Sequence, residues 1–487
     1  MELNKKVTRG GGQFALNEEG GIAFKERDDK ALFLVASAFK LRNSFYYNAK
    51  DTLKSLESLI DSNSDFVYKM ALAKFLSEKL GIRLSPVIMV TREAIKAKRV
   101  STTENRTLLK YVTSVIMDRP DKIANALAYS QFYFNEFRSL PPFFKKSLRN
   151  AFEKFDAYTL RKFKMRRRII KAADIVKALR PRPRNVELSA LYKEIIENRA
   201  PIAKDTVITA VLSDVNKSVK DKKAWINENI DAIPSVALVR NMNNVPKTAY
   251  AKLEARLSKM LRVGEDGLPI VKVANPFDIM TAGLHAKDSE VIEITDRALS
   301  KFVNGVNLIN KGNKISFLID VSGSMHTSGI EVGISYLSLL IPMMKQGSLK
   351  LWKFNTQLND VSNLLPMLVR NSESPITIST LLRNELKANG GTALATSIRS
   401  VADIDNPDLI VVISDEITWA ERDTRIYNDL GCKVVSINPA PFGRVTAFAP
   451  DANVIKISGL DAKILYYIPF LVRFNEFKEQ IKNSLMK

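Results

Sequence analysis

The sequence predicts a two-part protein: an all-α helical-repeat region followed by an α/β doubly wound parallel sheet. Three observations predict it. Between residues 30 and about 300, apolar residues recur at the three- and four-residue spacing of amphipathic helices. Near Gly305–Lys314 the texture changes, and short apolar strands begin to alternate with helical patterns. The charge divides at the same place. Residues 311–487 carry 19 Lys+Arg and 17 Asp+Glu, whereas residues 1–310 carry 55 and 35. At 487 residues the chain exceeds the roughly 100–200 residues of one domain. We place the parts at 1–308 and 309–487.

The helical periodicity is clearest in Lys30–Leu41, Asp65–Leu80, Thr107–Met117, Lys122–Phe134 and Ser189–Ile196. Prolines punctuate it: Pro86, Pro120, Pro141, Pro142, Pro181, Pro183, Pro201, Pro234, Pro246 and Pro276. No ankyrin or tetratricopeptide period repeats, so those arrays are not expected; degenerate pairs of the HEAT kind, which stack into curved solenoids, stay open. In the second part, strands are expected at Lys314–Asp320, Leu349–Phe354, Leu409–Ser414, Lys433–Ile437 and Asn453–Ile457. Helices fill Gly329–Lys345, Ala393–Ala402, Ala420–Leu430 and Asp461–Ser484.

Composition excludes several classes. Cys432 is the only cysteine, so no internal disulfide and no cysteine-cluster metal site can form, and a reducing, cytoplasmic setting is expected. Apolar stretches are interrupted by charge before the roughly 18–20 residues of a membrane span, and no apolar signal region follows the charges of MELNKKVTRGGGQF. His285 and His326 are the only histidines, and no phosphate-binding GxxxxGK[ST] loop occurs, so histidine-based catalysis and P-loop hydrolysis are not expected.

The excess of twenty positive charges in the first part points to a polyanion, with solubility or anionic lipid as the alternatives. It concentrates in residues 145–184. Fifteen basic residues stand there: Lys145, Lys146, Arg149, Lys154, Arg161, Lys162, Lys164, Arg166, Arg167, Arg168, Lys171, Lys177, Arg180, Arg182 and Arg184. Only Glu153, Asp156 and Asp174 oppose them. Phe143, Phe144, Phe152, Phe155, Tyr158 and Phe163 are interleaved. Lys and Arg neutralise phosphates, and aromatics stack on unpaired bases; at helical spacing the same aromatics can equally be core. Placement on helix ends and loops suits the shape of RNA better than insertion into a DNA groove.

The second constellation is KISFLIDVSGSM, residues 314–325. A buried strand ends in Asp320, and Ser322 and Ser324 follow at alternate positions. Gly390, Gly391 and Thr392 stand before a later helical pattern, and LIVVISD ends a second apolar strand in Asp415. One or two carboxylates with several hydroxyls form a hard-oxygen set that suits Mg²⁺ with an open coordination position. The alternative is that both acids are helix caps or turn residues.

This ordered set resembles the metal-ion-dependent adhesion site of von Willebrand factor A domains. The resemblance implies direct cation contacts from Ser322, Ser324 and Thr392, water-mediated contacts from Asp320 and Asp415, and a carboxylate from a partner at the open position. The whole chain from about residue 20 resembles the Ro autoantigen family, whose helical part is the TROVE module. LRKFKMRRRIIKAADIVKALRPRP (160–183), SVALVRNMNN (235–244) and NPFDI (275–279) carry the likeness in the helical part; DVSGSM, GGT and VVISDEITW carry it in the second. The resemblance implies a ring of HEAT-like repeats closed by the A domain. It implies a scaffold, not an enzyme, that binds small structured noncoding RNA of the Y kind on a basic outer surface. The single-stranded 3′ ends of misfolded RNA would enter the central hole, and the A domain would tether a protein such as an exoribonuclease. By it, Arg161, Lys162, Lys164, Arg166, Arg167, Arg168, Lys171, Lys177, Arg180, Arg182 and Arg184 would contact RNA. The chain departs from the family in having Ala172 where a histidine usually precedes the acid, here Asp174, and in its dense Arg166–Arg168 run. The rival reading is an Mg²⁺-dependent protein–protein adaptor with no RNA role.

Overall fold

A computed structural model describes residues 14–16, 22–24, 29–38, 49–100, 102–134, 140–162, 170–197, 218–326, 328–370, 374–416, 430–439 and 454–485. Contacts divide the chain into two compact units. One is built chiefly from Asn48–Lys217 with Arg27–Ser44 and Glu479–Lys487, the other chiefly from Ser218–Lys478.

The described part of the first unit is helical: α1 Asp29–Ala38, α2 Ala49–Ser62, α3 Phe66–Glu78, α4 Ser85–Val100, α5 Thr103–Ile116, α6 Pro120–Phe134, α7 Pro142–Phe152, α8 Ala157–Lys162, α9 Ala172–Leu179 and α10 Val186–Ile196. Several prolines that punctuate the sequence start helices. Pro86, Pro120 and Pro142 stand in first turns, where the missing N–H costs nothing. α3 is the central helix, buried on every side from Tyr68 to Ser77 and packed on α4 and α5. It carries two lysines into that core. Lys69 pairs with Glu93 of α4 at 2.7 Å and donates to the Ile60 carbonyl, so its charge is compensated where an unpaired one would be costly. α9 is closed by Arg180 in the left-handed conformation (φ 50°), and Pro181 turns the chain away.

The second unit begins with helices α11 Val219–Asn229, α12 Ser235–Arg240, α13 Tyr250–Met260, α14 Pro276–Leu284 and α15 Ser289–Gly305. Strands β5 Lys314–Asp320, β6 Ser348–Phe354, β7 Leu358–Asp360, β8 Leu409–Ile413, β9 Lys433–Asn438 and β10 Val454–Ser458 follow. They come after four short ones: β1 Phe14–Leu16, β2 Ile22–Phe24, β3 Arg262–Val263 and β4 Pro269–Ile270. Around the sheet lie α16 Ser328–Met343, α17 Leu365–Arg370, α18 Pro375–Glu385, α19 Leu394–Asp405, α20 Ile464–Val472 and α21 Phe474–Asn483.

The six-stranded sheet has the order β10-β9-β8-β5-β6-β7, parallel except for the antiparallel edge strand β7. β8 reads LIVVI with every residue buried, as a central parallel strand must. Alternation along β5 divides the core. Leu318 packs with Trp352, Ile410, Val412 and the Leu394, Ile398 and Val401 side of α19. Ile319 points the other way, toward α16. There Gly333 admits the close approach: a Cβ would stand 2.7 Å from Ile319 Cδ1. From β5 the chain crosses to β6 on one side and later returns to β8 on the other. The C-terminal end of β5 is therefore a topological switch point, where open α/β sheets bind ligands.

Several elements differ from the sequence expectation. The single helix expected over Asp461–Ser484 is two, α20 and α21, parted at Arg473 (φ −137°). β7 was not foreseen, being three residues long and only partly apolar. Neither were α17 and α18, which fill the connection between β7 and α19. The helix expected at Ala420–Leu430 lies, but for its last residue, outside the described residues.

Candidate functional site

Sheet register builds the first constellation. β5 and β8 pair from Ile315↔Leu409 to Ile319↔Ile413, so the next residues, Asp320 and Ser414, emerge together. Asp320 is fully buried. Its Oδ1 accepts the Ser322 N–H at 2.8 Å and its Oδ2 accepts the Ser414 hydroxyl at 2.6 Å. Burial pushes this carboxyl up to about 6; the bonds from Ser414 and Ser322 pull it down, and neighbouring Asp415 adds to the rise. The turn after Asp320 sets the Ser322 and Ser324 hydroxyls 3.0 Å apart, the first buried and the second exposed.

Backbone bonds bring in the third loop. Val321 N donates to the Phe354 carbonyl, Asn389 N to the Val321 carbonyl, and Gly323 N to the Gly390 carbonyl at 2.9 Å. Gly390 takes φ +74°, a left-handed turn that glycine adopts freely, and Thr392 follows two residues later, half-buried. Ala393 N bonds the Asn355 carbonyl and so fixes the loop's exit. Asp415 is buried, and its carbonyl accepts from the Asn438 side chain at 3.3 Å.

Two residues that the sequence reading did not single out complete this network. Ser414 donates to Asp320 and accepts from the Glu416 N–H. Glu416 is buried, holds φ +57° without being glycine, and receives the Ser436 hydroxyl at 2.6 Å. Such a backbone persists only where its surroundings over-determine it. The available signal was position: both residues flank Asp415 at a strand end. His326 is exposed and outside these bonds. Among the described residues no three His, Cys, Asp or Glu side chains are grouped to hold a metal. The set is instead mixed carboxylate and hydroxyl. The two carboxylates, one of them holding a costly buried charge, and the paired serine hydroxyls fit a hard divalent cation.

The basic constellation lies on α7 to α10. Lys171, Lys177, Arg180, Arg182 and Arg184 are exposed, and Arg161 is half-buried. Two of these cations do structural work. Arg161 reaches Glu187 at 3.4 Å, and Arg184 donates to the Lys154 and Phe155 carbonyls at 3.0 and 3.3 Å. Lys171, Lys177, Arg180 and Arg182 form no side-chain ion pair among the described residues. Lys164, Arg166, Arg167 and Arg168 lie outside the described residues, as does the side chain of Lys162. The interleaved aromatics divide. Phe144, Phe152 and Phe155 are core, with Phe152 edge-on to Phe155 and tilted against Tyr192; Phe143 is half-buried and Tyr158 is 51% exposed.

The two other stretches that carried the resemblance are structural. Asn275 caps α14 and donates to the Leu460 carbonyl at 3.0 Å; Phe277 packs on Tyr336, centroids 4.5 Å apart. The Tyr336 hydroxyl donates to Gly459 and accepts from Asp461 N, pinning the turn after β10. SVALVRNMNN forms α12 and a 3₁₀ turn, with Leu238, Val239 and Met242 buried.

The fold and site define a class: a helix-rich protein whose C-terminal part is an α/β sheet with a hard-oxygen cluster at its switch point. No family profile matches the sequence, and no curated protein matches it. Among solved structures, the fold is that of the Ro (RSR) protein of Deinococcus radiodurans. The TM-score is 0.56 over 92% of this chain and 100% of that one, at 13% identity. A second match is an aerotolerance-related membrane protein of Bacteroides fragilis, solved with mutations to serines. It covers 36% of this chain and 99% of its own at 18% identity; its TM-score of 0.21 carries no argument. No described helix is long and apolar enough to cross a membrane.

Proposed function

We propose that this protein is a cytoplasmic RNA-binding scaffold of the Ro type, which holds RNA on its basic helical part and docks a protein through a divalent cation. The observation that carries the RNA reading is the run Lys171, Lys177, Arg180 and Arg182: exposed, without a side-chain ion pair among the described residues, and within the region that holds the chain's charge excess. The fold likeness to a Ro protein supports it. Phosphate contacts of this kind hold RNA largely without reading its bases. Small structured noncoding RNA of the Y kind and the 3′ ends of misfolded noncoding RNA are the partners this reading names, in the service of RNA quality control. The helical part would form a HEAT-like ring, with residues 309–487 as a von Willebrand factor A domain.

In the same reading Ser322, Ser324 and Thr392 hold Mg²⁺ directly, with Asp320 and Asp415 behind them. The cation would supply an open coordination position for a carboxylate of a partner, for example an exoribonuclease. The buried Asp320 charge and the serine pair favour this. The protein does no chemistry on RNA in this reading: phosphodiester cleavage by two metals needs a second ion site, and the hard-oxygen groups that the described residues place around Asp320 form one cluster, for one ion.

The test is retention of total cellular RNA by the full chain on filters across a salt series. Retention that falls steeply with salt supports the scaffold. No retention leaves the cation-dependent adaptor. Shortening of labelled RNA during incubation with Mg²⁺ would overturn the non-catalytic reading.

A further inference from the structure

Three consecutive polar residues, Ser414, Asp415 and Glu416, follow the apolar run of β8, and all three are buried. A buried polar group is costly unless it is hydrogen-bonded, and two of these are acids. β9 supplies a partner for each. The Ser414 N–H makes the last ladder bond, to the Ile437 carbonyl at 3.1 Å. Asn438 donates to the Asp415 carbonyl at 3.3 Å, and the Ser436 hydroxyl donates to Glu416 Oε1 at 2.6 Å. Glu416 directs its own N–H to Ser414 Oγ at 3.0 Å, and Ser414 gives its single O–H to Asp320 Oδ2 at 2.6 Å. A continuous chain of hydrogen bonds therefore runs from Ser436 through Glu416 and Ser414 to Asp320, each bond polarising the next. The backbone at Glu416 lies at φ +57°, where glycine sits freely and a residue with a Cβ is strained. The side chain that brings the strain is the one that Ser436 holds.

We infer that Glu416 is a positioning residue of the cation site. Tethered to Ser436, it fixes the direction in which Asp320 faces a cation, through its own N–H and the Ser414 hydroxyl. Through the peptide that joins them it also fixes Asp415. This rests on the cation reading and adds the end of β9 to the site. Glu416 is not itself a ligand here: its carboxylate is turned to β9 and reaches Asp320 only through Ser414. Partners of this outer kind orient the groups that touch a metal, and losing one costs about 10- to 100-fold in metal affinity. A strained backbone held by its own side chain is the mark of a turn that serves a site, since a glycine would make the same turn without strain.

The probes are Mg²⁺ and Mn²⁺ alone, titrated calorimetrically into the full chain, with thermal unfolding of the metal-free chain measured alongside. Glu416→Ala and Ser436→Ala should each weaken Mn²⁺ binding about 10- to 100-fold. The double variant should be within about 2-fold of the weaker single one, because both changes remove the same tether. Glu416→Gln keeps an oxygen that accepts the Ser436 hydroxyl and should bind within about 3-fold of wild type. Glu416→Gly separates the site from the scaffold. It loses the tether but relieves the backbone, so its metal-free Tm should stay within about 3 °C of wild type while Mn²⁺ affinity falls as in the alanine variant. A glycine variant that binds Mn²⁺ like wild type overturns the inference. So does one whose metal-free Tm falls further than that, which marks a structural turn. Losses that multiply in the double variant overturn the shared tether. A glutamine variant as weak as alanine overturns positioning in favour of the Glu416 charge itself. Wild type that binds neither ion overturns the cation reading, and this inference with it.

Discussion

Asp320 carries its charge where charge is expensive. Two donors offset only part of the burial cost, and its carboxyl sits at about 6. A bound cation would offset the rest. Asp320→Ala should therefore abolish Mg²⁺ and Mn²⁺ binding in a calorimetric titration and leave RNA affinity within about 2-fold of wild type; a collapse of RNA binding would show that the two activities are not separable. The arginine run makes the complementary prediction. Replacing Arg166, Arg167 and Arg168 together with Gln should flatten the salt slope of RNA binding by about 2–3 units, and an unchanged slope would remove them from the interface. Cys432 gives a pH prediction. Burial pushes its thiol up to about 11 from an ordinary value near 9, so it stays protonated through neutral pH. Iodoacetamide at pH 8 should label the native chain roughly 100-fold more slowly than the urea-unfolded chain, with the native rate climbing as pH rises toward that value. Fast native labelling would mean that the strand start at β9 is open.

At the scale of elements, the strands were the most readable. Lys314–Asp320 forms as expected to the residue, because buried parallel strands are continuous apolar runs bounded by turn residues. What defeated the sequence were elements held by partners distant in the chain. α18 starts at a serine cap that Asp296 of α15 completes, accepting the Ser374 hydroxyl at 2.6 Å and the Ile376 N–H at 3.0 Å. Arg383 near its end is bound by both oxygens of Glu331 from α16. No local pattern announces such ties. α18 in turn leads into the loop that carries Gly390 and Thr392. Asp296→Ala should cost about 1–2 kcal/mol in urea unfolding, the scale of a lost helix cap with its buried bonds. The turn before β6 makes a second test. A Cβ on Gly347 would stand 2.8 Å from the Asn313 carbonyl, a backbone atom that cannot move aside, so Gly347→Ala should destabilise by about 1–3 kcal/mol. Unchanged unfolding midpoints would deny either role.

At the scale of the whole molecule, the proposed cation site and the proposed RNA surface lie in different parts of the chain and should give separable thermal responses. Mg²⁺ at about 100 times its Kd adds roughly 2.7 kcal/mol to whatever unit binds it, enough to raise Tm by a few degrees. That rise should vanish in Asp320→Ala, while the rise produced by RNA remains. Mg²⁺ protection that survives the substitution would move the cation elsewhere. By itself the sequence determined the two textures of the chain, its charge partition, five sheet strands and the hard-oxygen residues at two of their ends, because periodicity, composition and turn chemistry are local. It could not reach Ser414 or Glu416 as members of the cluster, nor divide the aromatics of residues 143–158 into core and surface. Those were decided by the β5–β8 register and by the packing of α7 to α10, since a side chain's partner and its exposure are set by neighbours far away in sequence.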